Sequence, residues 1–257
     1  MSEQALQRLR REPPPFRRVE VRRTDRRSSR LVRIVLGGPE LEGFEIGAPA
    51  SSVRLLVPPP GSAELVMPTW TGNQFELADG SRAPIRTLTP RHADPAADEL
   101  TVEVVVAHAG LVADWAVAAA PGDPAAVSGP GRADDLLGAT SYLLVGDETA
   151  IPAISQLLEA LPPDASVVVH VEVGDADGVL DLPAHPGADV NWTVTPPGEP
   201  PGVTFVGALP DQLPEKVWIA GEAAAVQAVR TVLFDERSLP RSRAIVRGYW
   251  KLGRSAT

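Results

Sequence analysis

The ten residues Val145 to Ile154, VGDETAIPAI, constrain the fold more than any other stretch of this chain. They end a strand-like run, Ser141 to Val145, and open an amphipathic helix-like run, Ala150 to Leu161. A strand that turns through a glycine, here Gly146, into a helix is where α/β domains hold nucleotides, because free amides at the helix start attract phosphate. Thr149 stands at a plausible N-cap and Pro152 in the first turn, both residue types that begin helices. The stretch lacks the three-glycine dinucleotide fingerprint, and Asp147 and Glu148 would repel a pyrophosphate. On spacing alone, a plain strand-to-helix junction explains it equally well.

On either side of this turn the pattern differs. Before it, Arg17 to Arg23, Arg30 to Leu36, Ser52 to Val57, Ala63 to Met67, Gln74 to Leu77, Pro84 to Thr89 and Leu100 to His108 read as short strands between Gly, Pro and Asp clusters. These predict a small antiparallel β-barrel followed by one short helix, Leu111 to Ala120. In the last strand Leu100, Val102, Val104 and Val106 alternate with Thr101, Glu103 and Val105, so one side faces a core. Character changes near Ala133 to Ala139. Beyond it, strand-like Ser141 to Val145, Ser166 to Val173, Val190 to Val194, Thr204 to Val206 and Val217 to Ala220 alternate with helix-like Ala150 to Leu161 and Ala223 to Arg237. Such alternation predicts a parallel sheet, closed by Arg243 to Lys251. The fold class is therefore two-domain: an antiparallel barrel, then an α/β parallel-sheet domain, which 257 residues suffice to build.

Composition narrows the chemistry. With no cysteine, the chain has no disulfide, thiolate zinc site or cysteine-held iron–sulfur cluster, so electron transfer would need an organic cofactor or the substrate's own metal. His92, His108, His170 and His185 show no ligand spacing, and no metal site is expected. No apolar run nears the roughly 20 residues of a membrane helix, and the N-terminus has no signal-like apolar stretch, which predicts a cytoplasmic protein without stable membrane insertion. Residues 1 to 33 hold eleven Arg against four acids although the whole chain carries −9. Val19, Val21, Leu31, Ile34 and Leu36 interleave with these arginines as in edge strands, and no nucleic-acid partner is expected.

Several short segments then occur in a set order: Arg86-Thr87-Leu88-Thr89-Pro90-Arg91, His108 to Trp115, Gly129-Pro130-Gly131-Arg132, VGDETAIPAI, Trp218 to Ala223, and Gly248-Tyr249-Trp250-Lys251. In this order the chain resembles the siderophore-interacting proteins, flavin-dependent ferric-siderophore reductases of the ferredoxin-NADP reductase superfamily. The resemblance runs from about Phe16 to Arg254. It implies an FAD-binding barrel over 16–132 and an NAD(P)H-binding α/β domain over 139–257, whose C-terminal strand faces substrate. It implies FAD, electrons from NAD(P)H or a ferredoxin-like donor, and a ferric siderophore as substrate, which brings its own iron.

The resemblance also assigns residues. In the superfamily an Arg-x-Tyr-Ser/Thr motif pairs its Arg with flavin phosphate, stacks its Tyr on the ring and brings its hydroxyl to the reactive edge. Arg86, Thr87, Leu88 and Thr89 occupy that motif, with Leu88 in place of the Tyr. His108, Gly110 and Ala113 match the turn and helix start that face the flavin phosphates, where Ala113 lacks the usual hydroxyl. Gly146, Asp147, Thr149, Gly221, Glu222 and Trp250 complete the expected cofactor contacts. Glu172, 26 residues past Gly146, reads equally as a ribose-binding acid or a surface carboxylate. Arg243, Arg247, Tyr249 and Lys251 would share one strand face if a period of two holds throughout. Three cations and a phenol suit an anionic ferric chelate, although charged edge strands also carry such residues to avoid aggregation. Two rivals stand beside this reading: a general NAD(P)H:flavin oxidoreductase, and a non-catalytic relative that binds siderophore with weak or no flavin.

Overall fold

In the computed structural model, residues 13–108, 110–131 and 136–253 are described. Residues 1–12 of the basic segment, Ala109, Arg132, Ala133 and Arg254 onward, on which parts of the motifs and domain limits fall, lie outside the described residues.

The first half forms β1 (Arg17–Arg26), β2 (Leu31–Gly37), β3 (Val53–Leu56), a separate small hairpin of β4 (Thr69–Trp70) and β5 (Phe75–Glu76), then β6 (Ile85–Leu88), β7 (Pro90–Asp94), β8 (Glu99–Val105), α1 (Leu111–Ala118) and β9 (Pro124–Ser128). Seven of these strands make one antiparallel sheet in the order β6-β3-β9-β1-β2-β8-β7. The sheet curls, and its two end strands are consecutive in the chain, joined by Thr89 alone. Leu100, Val102 and Val104 of β8 turn inward onto Val21, Ile34, Leu36 and Leu55, and α1 adds Val112 and Ala116 to that core. Glu103, between them, turns the other way, as the period-two pleat of a strand requires.

The second half forms β10 (Ser141–Asp147), α2 (Ile151–Ala160), β11 (Ser166–Val173), β12 (Ala188–Val194), β13 (Lys216–Glu222), α3 (Ala223–Arg230) and β14 (Ala244–Trp250). The sheet is parallel, in the order β12-β11-β10-β13-β14. One face packs Tyr142, Leu144 and Trp218 against Ile151, Ile154 and Leu157 of α2. The other packs Leu143, Val145 and Ile219 against Val226 and Val229 of α3. Strand order reverses between β10 and β13, which opens a crevice at their carboxyl ends.

Helix α2 belongs to both halves. Gln156 donates its amide to the Pro90 carbonyl at 2.6 Å and accepts from the Ala50 amide at 2.8 Å, and Arg91 forks onto Glu159 at 2.6 and 2.9 Å. Arg30 pairs with the buried Glu148 and with Asp175 at 3.2 Å. The helix therefore buries Ile151 through Leu158 without a break, where the sequence pattern predicts one polar face.

Several expectations are corrected. Thr204 to Val206 is a turn, because the Gly202 and Thr204 amides donate to the Glu172 carboxylate rather than to a ladder, while Phe205 plugs the core. Ala63 to Met67 is irregular and anchored by Leu65 and Met67 in a satellite cluster. β7 and β9 were not expected as strands, since each begins with Pro and carries little β-branched residue content. Helix Ala223 to Arg237 loses its α pattern after Arg230 and continues to Glu236 as a π-helix.

Candidate functional site

A cleft of about 200 Å³ lies where the curled sheet meets the parallel one. Arg86, Thr87 and Leu88 of β6 form one wall with Thr89, and His108, Gly110, Val112 and Ala113 a second. Thr149 and Pro152 come from the start of α2, and Tyr249, Trp250 and Lys251 from the last strand. The sheet seam fixes Thr89, which is buried and whose hydroxyl lies 3.4 Å from the Tyr249 phenol.

Arg86 is half-buried, and burial pushes its guanidinium below its ordinary range. No carboxylate pairs with it among the described residues; Nη1 donates to the adjacent Ile85 carbonyl at 3.0 Å. Its Nη2 lies 3.7 Å from where a side chain on Gly110 would begin, and Gly110 stands at the N-terminus of α1 without a capping side chain. A desolvated cation without an anion, beside uncapped helix amides, is a phosphate cradle. These residues fit the pyrophosphate of a flavin dinucleotide.

Trp250 stacks on His108 with ring centroids 4.4 Å apart. Burial pushes the His108 imidazole down, with Arg30 adding to the fall and Glu148 opposing it. The Trp250 indole donates to Asp147 Oδ2 at 2.7 Å, and the same oxygen accepts from the Glu222 amide at 2.9 Å. Asp147 Oδ1 accepts from the amide and hydroxyl of Thr149. Burial pushes this carboxyl up to about 6 despite four donors.

The carboxyl ends of the parallel strands are thus filled by the chain itself. Asp147, not Thr149, caps the turn into α2. Glu222 caps α3 through the Ala224 and Ala225 amides and also accepts from the Leu252 amide at 3.1 Å. Glu148 takes Arg30 and the Gly174 amide, while Glu172, neither exposed nor open, takes Thr195, Gly202 and Thr204. Gly146 is needed for close approach, since a side chain there would collide with Ala150 and sit 3.1 Å from the Ala220 carbonyl. Gly146, Asp147, Gly221 and Glu222 lie outside the cleft lining and hold the turns together. At the start of α3 the Ala224 and Ala225 amides are taken by Glu222, and in the turn before α2 the Thr149 amide is taken by Asp147, while α2 itself begins after Ala150 without a capping side chain.

The expected shared face on the last strand divides. Arg243 precedes the strand in a short 3-10 turn and donates to the Leu213, Pro214 and Glu215 carbonyls, at the end of the sheet remote from the cleft. Arg247 lines a separate groove with Arg230, Phe234 and Arg241. A register shift opposite Gly221–Glu222 then resets the strand, and Tyr249 and Lys251 reach the cleft. Sequence reasoning passed over Glu103 and Arg30 as site residues and read Glu148 only as an acid that would repel a pyrophosphate. Only Glu103 left a signal, as a carboxylate at an outward position of a valine-rich strand. No group of three or more His, Cys, Asp or Glu residues suited to a metal occurs among the described residues, and none of their helices is long and apolar enough to cross a membrane.

A curled antiparallel sheet followed by a five-stranded parallel sheet, with the cleft between them, is the two-domain fold of the ferredoxin-NADP reductase class. Residues 20–134 match the siderophore-interacting FAD-binding domain, and residues 139–253 match the siderophore-interacting protein domain. The chain belongs to the siderophore-interacting protein family. It is similar to a siderophore utilization protein from T. fusca, whose crystal structure superposes with a TM-score of 0.84 at 34% identity over 96% of each chain. It is 30% identical to the ferric vibriobactin reductase of Vibrio cholerae, covering 89% of this chain and 86% of that one. The NADPH-dependent ferric-chelate reductase of Escherichia coli is also 30% identical, over 91% and 92%.

Proposed function

We infer that this protein is an FAD-dependent reductase of ferric siderophores, releasing iron in the ferrous state, which hard oxygen ligands hold less tightly. The observation that carries the reading is Arg86, half-buried without a carboxylate partner beside the uncapped start of α1. Arg86 and the amides after Gly110 hold the flavin pyrophosphate, Thr89 presents its hydroxyl to the ring, and Leu88 offers an apolar surface at the Tyr position of the superfamily motif. When bound, FAD supplies the conversion between a two-electron donor and a one-electron ferric acceptor. His108 and Trp250, stacked, shield the cleft from water, and Lys251 at its rim attracts an anionic chelate. The ferric vibriobactin reductase and the ferric-chelate reductase among its relatives support the substrate class. The electron donor is NAD(P)H or a ferredoxin-like protein.

The test is reconstitution of the purified protein with FAD, followed by reduction of a ferric siderophore with NADH, NADPH or reduced ferredoxin while a ferrous-specific chelator reports product. Flavin absorbance that co-purifies or saturates on titration, with ferrous product from at least one donor, is the expected result. Equal rates with quinones and dyes but none with ferric chelates would point to a general flavin oxidoreductase.

A further inference from the structure

Glu103 is a buried carboxylate with one oxygen left over. Only 3% of its side chain is exposed. Arg33, its neighbour across the β2–β8 ladder, spends both Nε (2.9 Å) and Nη2 (2.6 Å) on the same oxygen, Oε1. Among the described residues no donor reaches Oε2. Burying an ionised oxygen without a hydrogen bond is costly, so native structures rarely do it without a reason.

The location supplies one. Glu103 borders two hollows, the cleft and an outer groove in which Arg33, Arg27 and Arg91 lie. Arg33, which holds Oε1, lines the groove and not the cleft. Nor is Oε2 sealed in protein, since among the described residues the one fully enclosed side-chain oxygen without a partner is Ser51 Oγ. Oε2 is thus left without a protein donor on a residue that lines the cleft with Thr89, His108 and Tyr249.

We propose that Glu103 is a specificity-determining residue of the cleft, whose free oxygen accepts a hydrogen bond from an N–H of the flavin ring and sets the ring's reduction potential. This rests on the flavin reading above. An ionised carboxylate only accepts, so its partner must be a donor, and the flavin ring carries one. A hydrogen bond to an ionised acceptor is stronger than a neutral one. The negative charge beside the ring also disfavours adding electrons to it, which makes the bound flavin a stronger reductant. Ferric chelates, whose ligands favour the oxidised metal, need such a reductant.

The experiment titrates apoprotein with FAD and then measures the midpoint potential of the bound flavin by spectroelectrochemistry, for wild type, Glu103→Gln and Arg33→Gln. Glu103→Gln keeps an oxygen for Arg33 but removes the charge. FAD affinity is expected to fall about tenfold, the cost of a charged hydrogen bond, and the potential to move to a more positive value. Arg33→Gln uncovers the charge and is expected to move the potential the opposite way. A merely structural Glu103 would lower stability without these opposed shifts. Wild type that binds FAD saturably, with all three proteins at one potential, overturns this inference alone. Wild type with no saturable FAD binding overturns the flavin reading, and the inference with it.

Discussion

Trp250 hands its indole hydrogen to Asp147, 103 positions earlier, at 2.7 Å, and so ties the end of the last strand to the end of the first strand of the parallel sheet. Trp250→Phe keeps an aromatic ring for His108 but removes this donor from a buried carboxylate. A hydrogen bond to a charged group is worth about 2 kcal/mol. Urea unfolding is expected to show a loss of that order, and an unchanged midpoint would mean that the tie contributes nothing.

The same carboxyl makes stability depend on pH. Burial raises Asp147 to about 6 from an ordinary value near 4, so between these limits the folded chain keeps a proton that the unfolded chain has lost. Its contribution to stability is therefore full below about 4, falls as pH rises through this window and stays lost above about 6. The window spans on the order of 3 kcal/mol. Asp147→Asn removes the titrating group, and its unfolding free energy against pH is expected to lack that part of the slope.

Arg86→Ala deletes the cation beside the start of α1, and FAD titration of the apoprotein is expected to show no saturation. Leu88→Tyr restores an aromatic to the cleft wall. By the magnitude of one aromatic contact, on the order of 1 kcal/mol, it is expected to tighten FAD about fivefold. Saturable binding by Arg86→Ala at the wild-type midpoint would remove the pyrophosphate from this wall.

The division of the last strand separates its cations by experiment. Lys251→Ala is expected to raise KM for an anionic ferric chelate several-fold, to leave flavin content unchanged and to weaken the salt dependence of the rate. Arg243→Ala, remote from the cleft, is expected to leave KM alone. If both variants reduce anionic and neutral chelates alike with wild-type constants, the strand end plays no part in substrate capture.

Arg30→Ala leaves the buried Glu148 without its cation. Removing one partner of a buried pair costs about 3 kcal/mol, and a loss of that size is expected in thermal or denaturant unfolding. A loss below 1 kcal/mol would show that solvent reaches Glu148 in place of the guanidinium.

Local patterns carried much of this molecule in plain view. The alternation in Leu100 to Val106 placed β8 against its core, and the run Ser166 to Val173 is β11 to the residue. The order of short motifs marked the family, and from it came most of the residues that meet in the cleft. What stayed hidden depends on partners far away in the chain. Asp147 and Glu222 read as cofactor contacts because nothing near them in sequence announces Trp250 or the Leu252 amide. Glu172 read as an open acid because its three partners, Thr195, Gly202 and Thr204, lie 23 to 32 residues on. The face through Arg243, Arg247 and Lys251 failed because Arg243 precedes the strand and because a register shift separates Arg247 from Lys251, a change of phase that no periodicity within one strand can reveal.

Helix α2, wrapped on every side, has a consequence for how this chain comes apart. Its inner residues complete one sheet's core while Gln156 and Glu159 bind the other half. Neither half in isolation would present a finished surface: cut between the two sheets, the second would bare a helix flank built to be covered. The two sheets are therefore expected to melt together, as one cooperative transition in calorimetry, although the chain was laid down as two successive architectures.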